Sequence, residues 1–315
     1  MTTLTGRTAM RRCILVVLTS IWMPSRPISM TWKPYCPGAG AEGLLHNPSH
    51  PGQPLLALLA ATAADDEAAT TLARRLGLTL LPTGSDPTGY EHVHAVLVVS
   101  GGSVFLQRTG RAAPGPVAAE FGSTAMRHRR RSGHNELLGR AVGVGKKPRL
   151  RVLDATAGLG RDSFVLADLG CEVTLCERDP VIVEILRAGM DTARAGGDQW
   201  LDAVLGRMQL CPGDARQVSA DTLRGVDVLY LDPMFGQRDK SAAVKKEMAL
   251  FQLLLGGGAA QDADELLQWA LQVDVARVVV KRPPKAPNLA ARQPSHSISG
   301  KAVRYDIYVR RKLAT

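Results

Sequence analysis

From about residue 149 onward, short apolar runs alternate with amphipathic stretches. Residues 150–153, 172–175, 207–210, 227–231 and 277–281 read as buried strands, and 305–309 closes the series as a last, antiparallel strand. Between them, apolar positions at helical spacing predict helices over 162–169, 180–194, 199–205, 244–255 and 263–272. Alternation of this kind predicts an α/β fold: a mostly parallel sheet with helices on both faces.

The earlier part of the chain is patterned differently. Residues 55–64 are apolar, and Asp65-Asp66-Glu67 opens an amphipathic helix that runs to Leu76 and stops at Gly77. Acids in the first turn and glycine past the last suit the helix dipole and a C-terminal cap. Residues 78–81, 95–99 and 104–107 read as short strands, the last two joined into a hairpin by Ser100-Gly101-Gly102-Ser103. Residues 53–125 are thus expected to form a small α+β region ahead of a larger unit over 126–315. Residues 1–52 carry much Pro, Gly, Met and Trp without periodicity, and read as disordered or as an extension from an upstream start codon. Arg11-Arg12 and the apolar run 13–18 look like a signal peptide, but no small-residue cleavage site follows. The run is also too short to span a bilayer. A cytoplasmic location is expected.

Charge adds a partner class. The 315 residues carry 39 Lys+Arg against 29 Asp+Glu, a formal charge of +10, which favours a polyanion such as nucleic acid. At 4% of the chain, aromatic residues are too few for a broad base-stacking platform. The five cysteines form no C-x-x-C pair and show no metal spacing with histidines, so a reduced protein with no metal is expected. Cys171 and Cys176 flank a strand and read as core. In Met126 to His134, Arg127, Arg129, Arg130 and Arg131 read either as a solvated loop or as contacts to phosphates; the basic context favours phosphates.

The candidate chemistry starts at Asp154-Ala155-Thr156-Ala157-Gly158-Leu159-Gly160-Arg161-Asp162, where a strand ends in an acid, turns through two glycines and enters a helix. Such a turn binds nucleotides, because glycine permits close backbone approach and the free N–H groups of the helix start face the ligand. The next strand ends in Glu177, where a ribose-binding carboxylate falls. A P-loop is excluded, since G-x-x-x-x-G-K-[ST] is absent. A dinucleotide turn would want a third glycine where Ser163 stands, whereas acid-x-x-x-Gly-x-Gly fits S-adenosylmethionine.

The decision comes from residues 226–235, an apolar strand ending in Asp232-Pro233-Met234-Phe235. It resembles the Asp/Asn-Pro-Pro-aromatic motif of methyltransferases that act on exocyclic amines of bases. Such an amine is a poor nucleophile because its lone pair is delocalised into the ring. A carboxylate and a backbone carbonyl that accept its two N–H bonds localise that pair and aim it. The aromatic ring stacks on the base. Between these motifs, Gly213-Asp214 ends a strand where the fold can reach adenine or ribose.

Taken in order, DATAGLGRDSFVLADLGC (154–171), CERDPV (176–181), VLYLDPMF (228–235), KSAAVKKEM (240–248), VVVKRP (278–283) and RYDIY (304–308) resemble the bacterial small-subunit ribosomal RNA methyltransferase J family. That family makes N2-methylguanosine in 16S rRNA. The resemblance implies a Rossmann-like class I fold dependent on S-adenosylmethionine, with 16S rRNA or the 30S subunit as partner. It implies cofactor contacts at Arg161, Asp162, Glu177, Arg178 and Asp232. Gly213 and Asp214 stand where relatives carry two serines. Catalysis falls to Asp232, Pro233 and Phe235, while Lys240, Lys245, Lys246, Lys281 and Arg282 would line the base pocket or the RNA path. Two other readings remain at this level: an amino-methyltransferase of DNA or protein glutamine, and a non-catalytic ribosome-assembly factor.

Overall fold

A computed structural model of the chain describes residues 55–131, 136–233, 249, 253–254 and 259–313. Among these residues, β5 (Arg151–Asp154), β6 (Glu172–Glu177), β7 (Met208–Pro212), β8 (Val228–Leu231) and β9 (Arg277–Arg282) run parallel. β11 (Arg304–Val309) pairs antiparallel with β9, and β10 (His296–Ser299) antiparallel with β11. The strand order is β10-β11-β9-β8-β5-β6-β7. β6 lies on one side of β5 and β8 on the other, so the winding reverses at β5. A reversal of this kind leaves a crevice at the carboxyl ends of the strands. Leu153, Leu229, Tyr230, Leu231, Val278 and Val279 are fully buried, as strands covered on both faces require.

Helices supply the cover. α4 (Arg161–Asp168), α5 (Pro180–Ala195) and α6 (Gln199–Leu205) follow β5 and β6. The Asp179 carboxylate caps α5 by accepting from the Val181 and Ile182 N–H groups, with Pro180 at the first helical position. Along α5, Gly189 meets the segment after the small sheet so closely that a Cβ would stand 2.1 Å from the Ala119 carbonyl oxygen. α7 (Ala220–Leu223) precedes β8, and α8 (Ala259–Ala270) precedes β9. Residues 249, 253 and 254 are helical; the rest of the helix expected over 244–255 lies outside the described residues.

The second sheet has the order β2-β1-β3-β4, formed by β1 (Leu56–Ala60), β2 (Thr79–Leu80), β3 (Ala95–Ser100) and β4 (Ser103–Arg108). α1 (Asp66–Leu76) follows β1, and the β3–β4 hairpin closes at Ser100 opposite Ser103. Leu58, Leu97 and Leu106 share one core with Leu175, Ile185 and Leu186, so the two sheets are fused through their packing.

Three elements, at 56–60, 124–131 and 296–299, go beyond the sequence expectations. β1 occupies part of the unassigned apolar run at 55–64; as an interior strand buried on both faces it shows no alternation. α2 (Thr124–Arg131) is a helix where a basic loop was one of the readings, in keeping with the helix propensity of arginine. α3 (Glu136–Val142) follows it. β10 is a polar edge strand without an apolar signal. Among the described residues no helix is long and apolar enough to cross a membrane.

Candidate active site

Because β5 to β9 run the same way, their last residues gather at one edge: Asp154, Glu177, Pro212, Leu231 and Arg282, with Asp232 and Asp214 just beyond. The turn after β5 puts Gly158 at φ 53° and Gly160 at φ 72°. Gly160 caps α4, and a Cβ there would stand 2.9 Å from Leu186 Cδ1 and 3.2 Å from Phe121 Cζ. Both conformation and space therefore demand glycine. Asp154 is buried beneath the turn, where the Ser163 hydroxyl donates to Oδ2 at 2.6 Å and the Thr156 N–H to Oδ1 at 3.1 Å. Burial outweighs these bonds and raises the Asp154 carboxyl to about 7. In this structure Asp154 shapes the turn from below.

Glu177, also buried, accepts the Gly158 N–H on one oxygen and the Asp179 N–H on the other, both at 2.8 Å. Desolvation raises its pKa against the pull of those bonds. A carboxylate has about four lone-pair positions, so acceptor capacity remains for two hydroxyls. The Arg178 guanidinium pairs with Asp262 of α8 at 2.7 Å. Gly213 adopts φ 121°, and Asp214 is occupied by Arg216, whose N–H, Nε and Nη2 all donate to it. Burial pushes the Asp214 carboxyl up, but the pairing with Arg216 wins and holds it below the usual range.

The centre of the edge is an ionic group. Lys281 Nζ donates to Asp162 Oδ2 at 2.6 Å and to Asp232 Oδ2 at 2.8 Å. The buried Tyr230 hydroxyl also donates to Asp162 Oδ2 at 2.6 Å. Burial would lower the Lys281 pKa; the facing Asp232 and Asp162 outweigh it and raise it, so the ammonium stays charged. Burial pushes the Tyr230 hydroxyl well up, with the same carboxylates adding to the effect. The Asp232 backbone N–H donates to Thr156 Oγ1 at 2.7 Å, and Pro233 is buried beside it.

The two cations at the end of β9, expected around the base pocket or on the RNA path, are set apart by this geometry. Lys281 faces the two carboxylates, and Arg282 is buried with Nη2 donating to the Pro287 carbonyl at 2.7 Å. Neighbouring strand residues point to opposite faces, so Lys281 and Arg282 do not line one pocket. Arg127 lies 4.8 Å over the Trp200 ring and pairs with Asp198, its side chain still partly exposed. Arg161 is exposed at the start of α4. Arg129, Arg130 and Arg131 continue α2, but their side chains lie outside the described set, as do Phe235, Lys240, Lys245 and Lys246. Thr156, Ser163 and Tyr230 were not anticipated. Tyr230 carried the clearest signal, since a phenol inside an apolar strand needs a buried partner.

A glycine turn, a carboxylate for ribose hydroxyls and the acids Asp162 and Asp232 at the strand edge fit a cationic adenosyl ligand. The third glycine of a dinucleotide turn is absent, and β8 ends in an acceptor pair. Fold and site together define a class I S-adenosylmethionine-dependent methyltransferase. The family model described as "Putative SAM-dependent methyltransferase" matches residues 87–310. Ribosomal RNA small subunit methyltransferase J of Thioalkalivibrio sulfidiphilus is 47% identical over 247 residues, 77% of this chain and 93% of that protein. Its namesake in Pseudomonas aeruginosa (strain UCBPP-PA14) is 48% identical over 267 residues, 82% of this chain and 97% of that one. The crystal structure of a SAM-dependent methyltransferase of Neisseria gonorrhoeae aligns with a TM-score of 0.59 at 33% identity, covering 80% of this chain and 95% of that one. The chain belongs to the ribosomal RNA small subunit methyltransferase J family.

Proposed function

We propose that this enzyme methylates the exocyclic N2 amine of one guanosine in 16S rRNA, in the cytoplasm, with 16S rRNA or the 30S subunit as its partner. The observation that carries the reading is the 2.7 Å hydrogen bond from the Asp232 N–H to Thr156 Oγ1. It joins the acceptor pair at the end of β8 to the glycine turn, so donor and acceptor sites form one rigid unit. The names of the close relatives and the +10 charge support an RNA substrate.

S-adenosylmethionine, when bound, supplies a methyl group already activated by its sulfonium. Gly158 and Gly160 bring the backbone close to it, Glu177 accepts from the ribose hydroxyls, and Arg161, Asp162, Arg178, Gly213 and Asp214 border the rest. The Asp232 carboxylate and the Pro233 carbonyl accept the two N–H bonds of the guanine amine and localise its lone pair. Phe235 stacks on the base, worth roughly 1–3 kcal/mol. The base has to leave its stack to enter. Arg127, Arg129, Arg130, Arg131, Lys245 and Lys246 remain candidates for phosphate contacts, while Lys281 stands beside Asp232 at the base pocket and Arg282 bonds the Pro287 carbonyl.

The purified enzyme, offered 30S subunits, free 16S rRNA and DNA with methyl-labelled cofactor, is expected to label rRNA. Label in DNA alone would overturn the substrate assignment.

A further inference from the structure

Lys281, near the carboxyl end of β9, stands inside the site. Its ammonium lies within hydrogen-bond distance of two carboxylates from different elements, Asp162 in the first turn of α4 and Asp232 after β8. Asp162 sits in the first turn of α4, where the helix dipole favours negative charge. Among the described residues, the titratable groups facing this cluster include Asp154 from β5, Tyr230 from β8 and Tyr305 from β11, the register partner of Lys281.

We propose that Lys281 is a positioning residue of the methyl-transfer site, holding Asp162 and Asp232 together as ionised carboxylates so that Asp232 can accept the N–H of the target amine. Two carboxylates so close to one another do not both ionise readily once the shared cation is gone; one of them takes up a proton. A protonated Asp232 would donate a hydrogen bond where the amine needs an acceptor. In the transfer itself, the amine nitrogen bonds to the methyl carbon as the C–S bond breaks and its electron pair stays on sulfur. One N–H proton passes to Asp232 and from there to water. Lys281 touches neither reacting atom; it sets the charge and aim of the group that does.

The inference rests on the proposed function, and its test separates the two. Single-turnover methylation of 30S subunits or free 16S rRNA is followed across pH for wild type, Lys281→Met and Lys281→Arg. Lys281→Met is expected to lose about a hundredfold in rate at neutral pH, the scale of a small misplacement of a reacting group. Its acid limb should move up by about one pH unit or more, the scale of a like-charge effect on a carboxylate, with the KM for RNA little changed. Lys281→Arg keeps the charge and should restore the wild-type limb. A Lys281→Met enzyme with the wild-type pH profile, or one whose defect is a raised, salt-sensitive KM for RNA, would overturn the inference. Thermal unfolding supplies a readout without substrate: Lys281→Met should lose more stability at pH 8 than at pH 5, because both carboxylates must ionise at the higher pH. Equal losses at the two pH values would also overturn it. A wild-type enzyme that labels no rRNA, alongside that pH-dependent loss, would sink the proposed function and leave the clamp standing.

Discussion

The Thr156 hydroxyl accepts the backbone N–H of Asp232 at 2.7 Å, tying the turn after β5 to the end of β8 across the point where the sheet reverses its winding. Thr156→Val keeps the shape and removes the acceptor, leaving a half-buried N–H unpaired. The expected cost is about 1–3 kcal/mol of stability. Methyl transfer should fall further than cofactor affinity does, because the bond aims the acceptor pair. Thr156→Ser should retain both. Calorimetric titration with S-adenosylhomocysteine beside single-turnover rates checks the split.

Glu177 braces the same turn from the other side, accepting the Gly158 and Asp179 N–H groups. Glu177→Gln places an amide donor against one of these donors. A tenfold or greater loss of affinity for S-adenosylhomocysteine is expected, from a misshapen turn and a weaker ribose acceptor. Titration calorimetry measures it directly.

Asp154 makes stability depend on pH in a direction opposite to most aspartates. Its folded carboxyl titrates at about 7, above the ordinary 3.8, so the native state binds the extra proton between those values. Stability from this group is present below the ordinary pKa and is lost as pH rises towards 7. Asp154→Asn removes the titration while keeping the shape. Relative to wild type, the variant should gain stability steadily between about pH 4 and pH 7 and level off above, as read by urea unfolding at each pH.

Gly189 bears on the packing of α5 rather than on chemistry. A Cβ there would stand 2.1 Å from the Ala119 carbonyl oxygen, so Gly189→Ala must push backbone apart. A loss of about 2–3 kcal/mol is expected despite the better helix propensity of alanine. Thermal unfolding of this variant against wild type reads the loss.

Much of this architecture is legible in the chain because the strands are buried on both faces. Residues 228–231 and 277–282 read as unbroken apolar runs apart from their ends, and Asp179-Pro180 marks the start of α5 without ambiguity. The site was legible where chemistry fixes the residue type: two glycines for a turn, Glu177 for a ribose, Asp232-Pro233 for an amine. It was not legible where a side chain's role depends on its partner in space. Lys281 finds Asp162 and Asp232 from 119 and 49 positions away, so the resemblance set it by the base pocket or the RNA path without naming its partners. Arg282 could have been placed better, since strand alternation already sets it on the face opposite Lys281. β10 escaped notice because an edge strand of His, Ser, Ile and Ser carries almost no apolar signal.

The central claim is that Asp232 orients the N2 amine of a guanosine in 16S rRNA. It is tested most directly by mass spectrometry of nucleosides and mapped fragments of 16S rRNA from a strain lacking the gene, complemented with wild type or Asp232→Ala. The account predicts one N2-methylguanosine that disappears in the deletion, returns with wild type and stays absent with Asp232→Ala, although that protein folds. An unchanged set of methylated guanosines in the deletion strain, or full restoration by Asp232→Ala, would contradict it.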